Sequence, residues 1–190
     1  MQLKLIGFPK YKEFTLPEGY TITKYNGTDA DMDAWVECCR NGLAGPNDTR
    51  EKFMRSICCR NDVDLYSDVF FIEHEGEKVA TITAIDRADN GMGYIHMVAV
   101  REDYRGKGLG RPLNQIAMNK FAENKVRMCY LTTDDWRKAA CKSYLSAGMY
   151  PVNHDVDMVD RWKALMKEFG IEKLQMLKEN GEPDVVIYAE

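Results

Sequence analysis

The residues with the clearest chemical potential form a basic, glycine-rich run at 105–111, Arg-Gly-Lys-Gly-Leu-Gly-Arg. Its three alternate glycines let the backbone turn sharply and approach a ligand closely. A helix that begins near Gly110 would add the positive end of its dipole to the three basic side chains. The run therefore predicts a cradle for a phosphate or pyrophosphate. The anion-binding residues predicted on it are Arg105, Gly106, Lys107, Gly108, Leu109, Gly110 and Arg111.

Two widespread phosphate-binding signatures do not match this run. A Walker A loop needs a lysine and then a serine or threonine after its last glycine, whereas Lys107 precedes Gly108 and no such hydroxyl follows. A Rossmann fingerprint needs two residues before its third glycine, whereas one residue separates each pair here. The spacing Arg105-x-x-Gly108-x-Gly110 instead resembles the Q/R-x-x-G-x-G/A pattern of the GNAT superfamily of N-acetyltransferases, where it binds the pyrophosphate of acetyl-CoA.

Further segments carry this resemblance over roughly residues 20–152. The Val-Ala-Val triplet at 98–100 is similar to the apolar strand end that precedes the loop in the superfamily, and 131–149 is similar to its later strand and helix. The Thr-Thr-Asp-Asp-Trp-Arg stretch at 132–137 resembles one bacterial subgroup. Many members have asparagine at the position of Arg137, and that asparagine often helps to hold the CoA arm. In this chain the charge of Arg137 would have to substitute for the asparagine amide.

The resemblance implies that an amine attacks acetyl-CoA directly while both are bound. The backbone of Val98 and Val100 would pair with the pantetheine arm like an added strand, and an N–H there or at Ala99 would polarise the thioester carbonyl. Tyr144 would protonate the departing thiolate, because a phenol with a pKa of about 10 donates without strong activation. The alternative for Tyr144 is an ordinary core residue.

His96 is the residue predicted to take the proton from the amine. By strand alternation it shares one face with Tyr94, Val98 and Val100, and histidine titrates in the useful pH range. The alternative is a partly buried histidine that bonds a neighbouring backbone group. The Glu-His pair at 73–74 is a weaker candidate for the same role.

The elements that must position these groups follow from hydrophobic periodicity. The predicted strands are 20–25, 69–74, 78–85, 94–100, 126–133 and 185–188, with 69–100 as an antiparallel meander. Six helices are predicted. They are a helix that carries Trp35, a helix at 49–59, a helix that begins near 110, a helix at 137–147, a helix that ends at Gly170 and a short helix before the last strand. The expected fold is α/β, a GNAT-like mixed, mostly antiparallel twisted sheet with helices on both faces. The resemblance implies that the strands at 94–100 and 126–133 splay apart.

Composition and charge exclude several classes of protein. The chain has 190 residues with 26 Lys/Arg and 30 Asp/Glu, a net charge of −4 that argues against a general nucleic-acid binder. Within 101–150, ten basic residues stand against five acidic ones, which predicts a face that meets an anion.

No stretch approaches the roughly 18 apolar residues of a membrane helix, and the first ten residues are not a convincing signal peptide. The six cysteines lack C-x-x-C spacing, so reduced structural thiols are predicted, with a redox or metal role for the pairs 38–39 and 58–59 as the alternative.

The expected function is transfer of an acetyl group from acetyl-CoA to a primary amine of a small-molecule or peptide acceptor, in the cytoplasm and without a metal. One domain is expected over 1–190, with an N-terminal arm at 1–19 and a C-terminal helix–strand extension at 153–190. No nucleic acid or membrane partner is expected, and the Met and Trp residues of 158–166 are interpreted as core or a homodimer contact. The alternatives are a non-catalytic acyl-CoA-binding or regulatory module, and a nucleotide-binding interaction protein.

Overall fold

A computed structural model describes residues 2–87 and 90–189 of the chain. Its architecture is the predicted mixed α/β fold, with a seven-stranded, mostly antiparallel sheet and helices on both faces. The strands are β1 (Leu3–Gly7), β2 (Tyr20–Lys24), β3 (Val69–His74), β4 (Glu77–Ile85), β5 (Gly93–Val100), β6 (Cys129–Thr133), β7 (Tyr150–Pro151), β8 (Lys173–Leu177) and β9 (Pro183–Tyr188). The helices are α1 (Asp29–Cys39), α2 (Arg50–Phe53), which a π-helical turn (Met54–Cys58) continues, α3 (Leu65–Asp68), α4 (Gly110–Glu123), α5 (Lys138–Ser146) and α6 (Met158–Phe169). Met1 and Glu190, the ends of the predicted domain, lie outside the described residues.

The sheet opens between its two parallel neighbours, β5 and β6. The strand order is β2-β3-β4-β5-β6-β1-β7. Strands β5 and β6 pair only through Gly93 with Cys129 and Tyr94 with Tyr130, although β5 continues to Val100. The two strands therefore diverge after Tyr94, as predicted, and we call the opening between them the fork.

Strand β5 carries a β-bulge where it borders the fork. Thr83 pairs with His96 but Thr81 pairs with Ala99, so β5 has one more residue than β4 over this stretch. Met97 has a φ of 56°, a left-handed conformation that residues other than glycine rarely adopt. A bulge of this kind reverses the alternation of side chains along the rest of the strand.

The bulge overturns the prediction that Tyr94, His96, Val98 and Val100 share one face. Directly opposed residues of antiparallel strands share a face, so Tyr94, His96 and Ala99 lie on the same side of the sheet. Val98 and Val100 instead pack into the core on the other side. Simple alternation failed because it assumes an unbroken register.

Two hydrophobic cores cover the two faces of the central strands. On one face lie the apolar stripes of the long helices, α4, α5 and α6, with Leu113, Phe121 and Trp162 fully buried. On the other face α1, α2 and the π-helical turn bury Trp35 and Phe53. The residues of 158–166 that point inward are therefore core of this chain.

The predicted N-terminal arm is partly wrong, because residues 3–7 form the interior strand β1. This strand lies between β6 and β7, and it pairs with β6 from Leu3 opposite Thr133 to Gly7 opposite Cys129. Leu3 and Leu5 are fully buried. The rest of the arm crosses α4, where the backbone of Lys12 and the side chain of Asn119 exchange hydrogen bonds of 2.9 and 2.8 Å.

The predicted short helix before the last strand is also wrong. Residues 173–177 form β8, which pairs with β9 as an antiparallel hairpin after α6 ends at Gly170 with a φ of 68°. A bridge from Val152 to Leu177 joins this hairpin to the end of the main sheet. Among the described residues, none of the helices has the length and apolar character needed to cross a membrane.

Candidate functional site

The predicted anion cradle is formed where the loop after β5 enters α4. Gly106 and Gly108 have φ values of 78° and 80°, and a Cβ added at either position would meet only open space. Leu109 occupies the N-cap of the 14-residue α4 and offers no side-chain acceptor to the first-turn N–H groups. The first-turn N–H groups and the positive end of the helix dipole thus lie beside an open glycine backbone, which suits a phosphate group.

The basic side chains of this loop have different surroundings. Lys107 lies over the ring of Tyr104, with Nζ 4.0 Å from the centroid, and Arg111 is exposed on the first turn of α4. Arg105 donates from Nε to the carbonyl of Val100 at 3.2 Å and from Nη2 to that of Arg40 at 3.1 Å. Arg105 therefore also ties the cradle to the end of α1, which its spacing did not indicate.

The loop after α1 bridges the outer end of the fork. Arg137, on the β6 side, donates to the carbonyl of Gly42 at 3.1 Å, while Arg105 reaches this loop from the β5 side. Asn41, with a φ of 55°, donates to Glu102 at 2.7 Å. Two arginines that were predicted to contact the cofactor therefore also hold the 40–42 loop across the opening.

Tyr144 lies on α5 in the same core cluster as Val98, Val100 and Leu109. It is 7% exposed, and its burial raises the pKa of its phenol well above the ordinary value of 10, with the neighbouring Cys141 adding to the shift. The phenol is accordingly protonated at neutral pH. The same shift makes the phenol a weaker acid than a free tyrosine.

His96 lies on the opposite face of the sheet, against the π-helical turn. Its Nδ1 is 3.1 Å from the hydroxyl of Tyr94, and it also interacts with the backbone of Ser56. Desolvation lowers the pKa of His96 to about 4, and the nearby Arg60 contributes in the same direction. The imidazole is therefore neutral at pH 7 and retains a lone pair. The structure separates Tyr144 and His96 by the sheet, with the fork between them.

Sequence reasoning missed the side chains that surround His96 at the root of the fork. The rings of Tyr94 and Tyr130 stack with centroids 4.6 Å apart and an interplanar angle of 11°. Arg60 lies 5.3 Å from the Tyr94 centroid and pairs with Asp62 through two bonds of 2.9 and 2.6 Å. The order of residues offered one signal, since Tyr94 is two residues from His96. Nothing in the local pattern marked Arg60 or Asp62.

The weaker candidates are placed away from the fork. His74 stacks on Tyr20 at 4.3 Å and lies 3.3 Å from the Tyr104 hydroxyl, at the free end of the β3–β4 hairpin beside Glu73. Asp134 and Asp135 pair with Arg137 of the same loop and with Arg161 of α6. No group of three metal-ligating side chains is present in the parts of the chain that the structure describes.

The cysteines are all unbridged, and four of them are buried. Cys59 is exposed and Cys58 is half-buried, so the prediction of buried structural thiols does not extend to the second pair. Burial raises the pKa of Cys129 to about 12, which disfavours its thiolate.

A cleft of about 910 Å³ opens between α1 and the β3–β4 hairpin. Its walls are rich in carboxylates, but Asp33 pairs with Arg50, Glu37 with Arg40, and Glu77 with an arginine after β5. The residues at the root of the fork do not line this cleft. The cleft is thus lined largely by neutralised ion pairs.

The sequence of the chain matches a protein-family model and a curated protein. The family model described as the acetyltransferase (GNAT) family matches residues 31–149, more than half of the chain. Mycothiol acetyltransferase from Streptomyces griseus is 25% identical over 151 residues, which are 78% of this chain and 48% of that protein. The chain thus spans about half the length of this curated relative.

Solved structures share the fold. A GCN5-related N-acetyltransferase from Sphaerobacter thermophilus has a TM-score of 0.60 at 24% identity, over 79% of this chain and 48% of that one. Diaminobutyrate acetyltransferase from Paenibacillus lautus, solved with L-2,4-diaminobutyric acid and coenzyme A, has a TM-score of 0.52 at 20% identity, over 67% of this chain and 73% of that one.

Proposed function

Because this chain belongs to the acetyltransferase (GNAT) family, we propose that it transfers an acetyl group from acetyl-CoA to a primary amine of a small-molecule or peptide acceptor. The observation that carries the proposal is the fork, which opens beside β5 and has the anion cradle at its outer end. In the proposed reaction the amine nitrogen attacks the thioester carbonyl in a ternary complex. The C–N bond forms, the C–S bond breaks and CoA leaves as a thiol.

Acetyl-CoA is proposed to bind along β5 with its pyrophosphate in the cradle. The N–H groups of the 106–110 backbone and the charges of Lys107 and Arg111 would hold the phosphates, while Arg137 would contact the CoA arm. The backbone at 98–100 would pair with the pantetheine, and an N–H of this stretch would stabilise the oxyanion. The bulge at Met97 supports this role, because an interrupted ladder leaves backbone groups outside the regular pairing with β4.

Tyr144 and His96 are proposed to move the two protons of the reaction. Tyr144, protonated in its buried site, donates to the departing thiolate from the α5 side. His96, neutral at pH 7, accepts the proton of the amine from the opposite face, with the Tyr94 hydroxyl at 3.1 Å as the link. Its low pKa makes it a weak base that passes the proton on to solvent, so it acts as a relay.

Release of free thiol from acetyl-CoA, measured with a panel of primary amines, tests the proposal. Tyr144→Phe should lower kcat about 100-fold or more, the range of general acid catalysis, and should leave the thermal shift produced by CoA unchanged. Tyr188→Phe is the matched control, because this tyrosine is 56% exposed on β9 and should behave as the parent protein. Full turnover by Tyr144→Phe would contradict its assignment as the acid.

The alternatives give different results in the same assays. A non-catalytic acyl-CoA-binding module would show a thermal shift with CoA but no thiol release with any amine. A nucleotide-binding interaction protein would respond to ATP more strongly than to CoA. A missing CoA shift would overturn the proposed function.

The finer assignments made from sequence also remain part of the proposal. We place the chain in the bacterial subgroup with the Thr-Thr-Asp-Asp-Trp-Arg motif at 132–137 and treat 1–190 as one domain. A cytoplasmic location is proposed on the six unbridged cysteines, since reduced thiols are the rule in that compartment.

A further inference from the structure

We infer that the acceptor is an amine that also carries a carboxylate, and that Arg60 binds this carboxylate at the root of the fork. The inference rests on the proposed function and names the substrate class of that site. It depends on the position of Arg60, on the burial of its partner Asp62 and on the two tyrosine rings next to Arg60.

The floor of this site is the stacked pair of Tyr94 and Tyr130, at the last residues that join β5 to β6. It lies on the face of the sheet that carries His96, which is the face opposite α4 and Tyr144. An acceptor that approaches its proton relay from this face must therefore pass over these rings. Tyr94 also bonds Thr132, which fixes the floor across the fork.

The guanidinium of Arg60, paired with Asp62, lies 5.3 Å from the Tyr94 centroid at the edge of this floor. The carboxylate of Asp62 is 7% exposed, and both of its oxygens accept from Arg60, one from Nε and one from Nη2. The Arg60 side chain is 32% exposed, and neither of these two bonds uses its Nη1 amino group. A planar guanidinium with free N–H groups matches a carboxylate better than any other side chain does.

A second cation, Lys4, borders the same floor and has its own acidic partner. Lys4 of β1 lies 5.5 Å from the Tyr130 centroid and pairs with Glu179, on the loop between β8 and β9, at 2.9 Å. A carboxylate held by Arg60 beside Tyr94 lies on the same side of the sheet as His96. The same molecule can then direct its amine toward the Tyr94 hydroxyl and His96.

A purely structural role for the ion pair makes a different prediction. If Arg60 only neutralised Asp62 and held its own loop, its removal would affect every acceptor equally. If it binds a carboxylate, its removal must affect carboxylated amines alone. The ratio of two kcat/KM values from one preparation separates these roles, because the fraction of folded protein cancels.

The experiment measures kcat/KM for glycine, β-alanine and L-lysine, each against its own amide. The amides have the lower amine pKa and hence more free base, so intrinsic reactivity favours them. We expect the parent protein to prefer at least one carboxylate over its amide by tenfold or more. Arg60→Met should lower kcat/KM for that carboxylate roughly 10- to 100-fold, the range for a hydrogen bond to a charged group, and change the amide less than twofold.

Companion variants keep the test decisive. The double variant Arg60→Met with Asp62→Asn leaves no buried charge unpaired and should show the same loss of preference. Arg55→Met is the matched control, since this exposed arginine of the π-helical turn has a 3.7 Å pair with Glu51 and should keep the parental ratio.

The possible failures are distinguishable. Preference for the amides, an equal loss for both members of a pair, or a CoA thermal shift without turnover of any carboxylated amine would each overturn this inference. The absence of a CoA shift would instead overturn the proposed function.

Discussion

The half-buried, neutral His96 allows a quantitative prediction that links the site to stability. A histidine in the unfolded chain has a pKa of about 6.5, whereas that of native His96 is about 4. Between these values the unfolded state binds a proton that the native state does not. The free energy of unfolding must therefore fall as the pH is lowered through this window, and the full contribution of His96 is present only above about pH 6.5.

The two pKa values give the size of the effect. At pH 5 the unfolded imidazole is almost fully protonated and the native one is mostly neutral, so linkage removes about 2 kcal/mol of stability relative to pH 7. His96→Gln keeps a neutral polar side chain and abolishes this titration. The difference in unfolding free energy between the parent protein and His96→Gln should thus change by about 2 kcal/mol between pH 7 and pH 5.

Urea unfolding at pH 7, 6 and 5 measures this difference, because the carboxylates that also titrate are common to both proteins and cancel. His74→Gln, which removes a histidine at the hairpin end, is the control for histidine number. NMR of the imidazole C–H signals should place the midpoint of His96 near pH 4. A midpoint near 6.5, or the same pH slope in His96→Gln and the parent, would refute the burial argument and with it the neutral relay.

Three further substitutions, one of them a control, test the cradle and the core. Gly108→Ala and Gly76→Ala should each lower the free energy of unfolding in urea by about 1–2 kcal/mol, because both glycines have φ near 80° and open space at Cβ. Only Gly108→Ala should also weaken CoA binding, as measured by calorimetry. An equal loss of CoA affinity in both would exclude the cradle at Gly108. Lys120→Met should cost about 2 kcal/mol, because its ammonium contacts the fully buried Asp68 and donates to the Ala84 carbonyl at 2.6 Å, while Arg87 still pairs with Asp68. An unchanged urea midpoint would contradict this.

Sequence periodicity was sufficient where an element is defined by its own residues. The predicted strand at 69–74 and the start of α4 at Gly110 coincide with the observed bounds, because a short apolar run closed by a tight turn and a helical apolar stripe are both local signals. Gly170 ends α6 in the left-handed conformation, as its position predicted. The positive φ values of Gly106 and Gly108 in the cradle were likewise predictable, because glycine adopts this conformation without strain and other residues do not.

The root of the fork could not be predicted in this way. Arg60, Tyr94 and Tyr130 come from three separate segments, and no spacing relates them. The strand β1 was missed for the same reason, since its partner β6 lies more than 120 residues later in the chain. The bulge at Met97 has no local signal at all, because a methionine carries no preference for a positive φ.

The sequence by itself determined the chemistry that can be read from residue type and near spacing: an α/β chain, a basic glycine-rich cradle and the strand and helix that flank it. The tertiary structure alone decided on which face each side chain acts. The bulge in β5 turns His96 away from Val98 and Tyr144, and the early end of β5–β6 pairing opens the fork between them. Such outcomes depend on the register between strands, a property of pairs of segments that neither segment encodes alone.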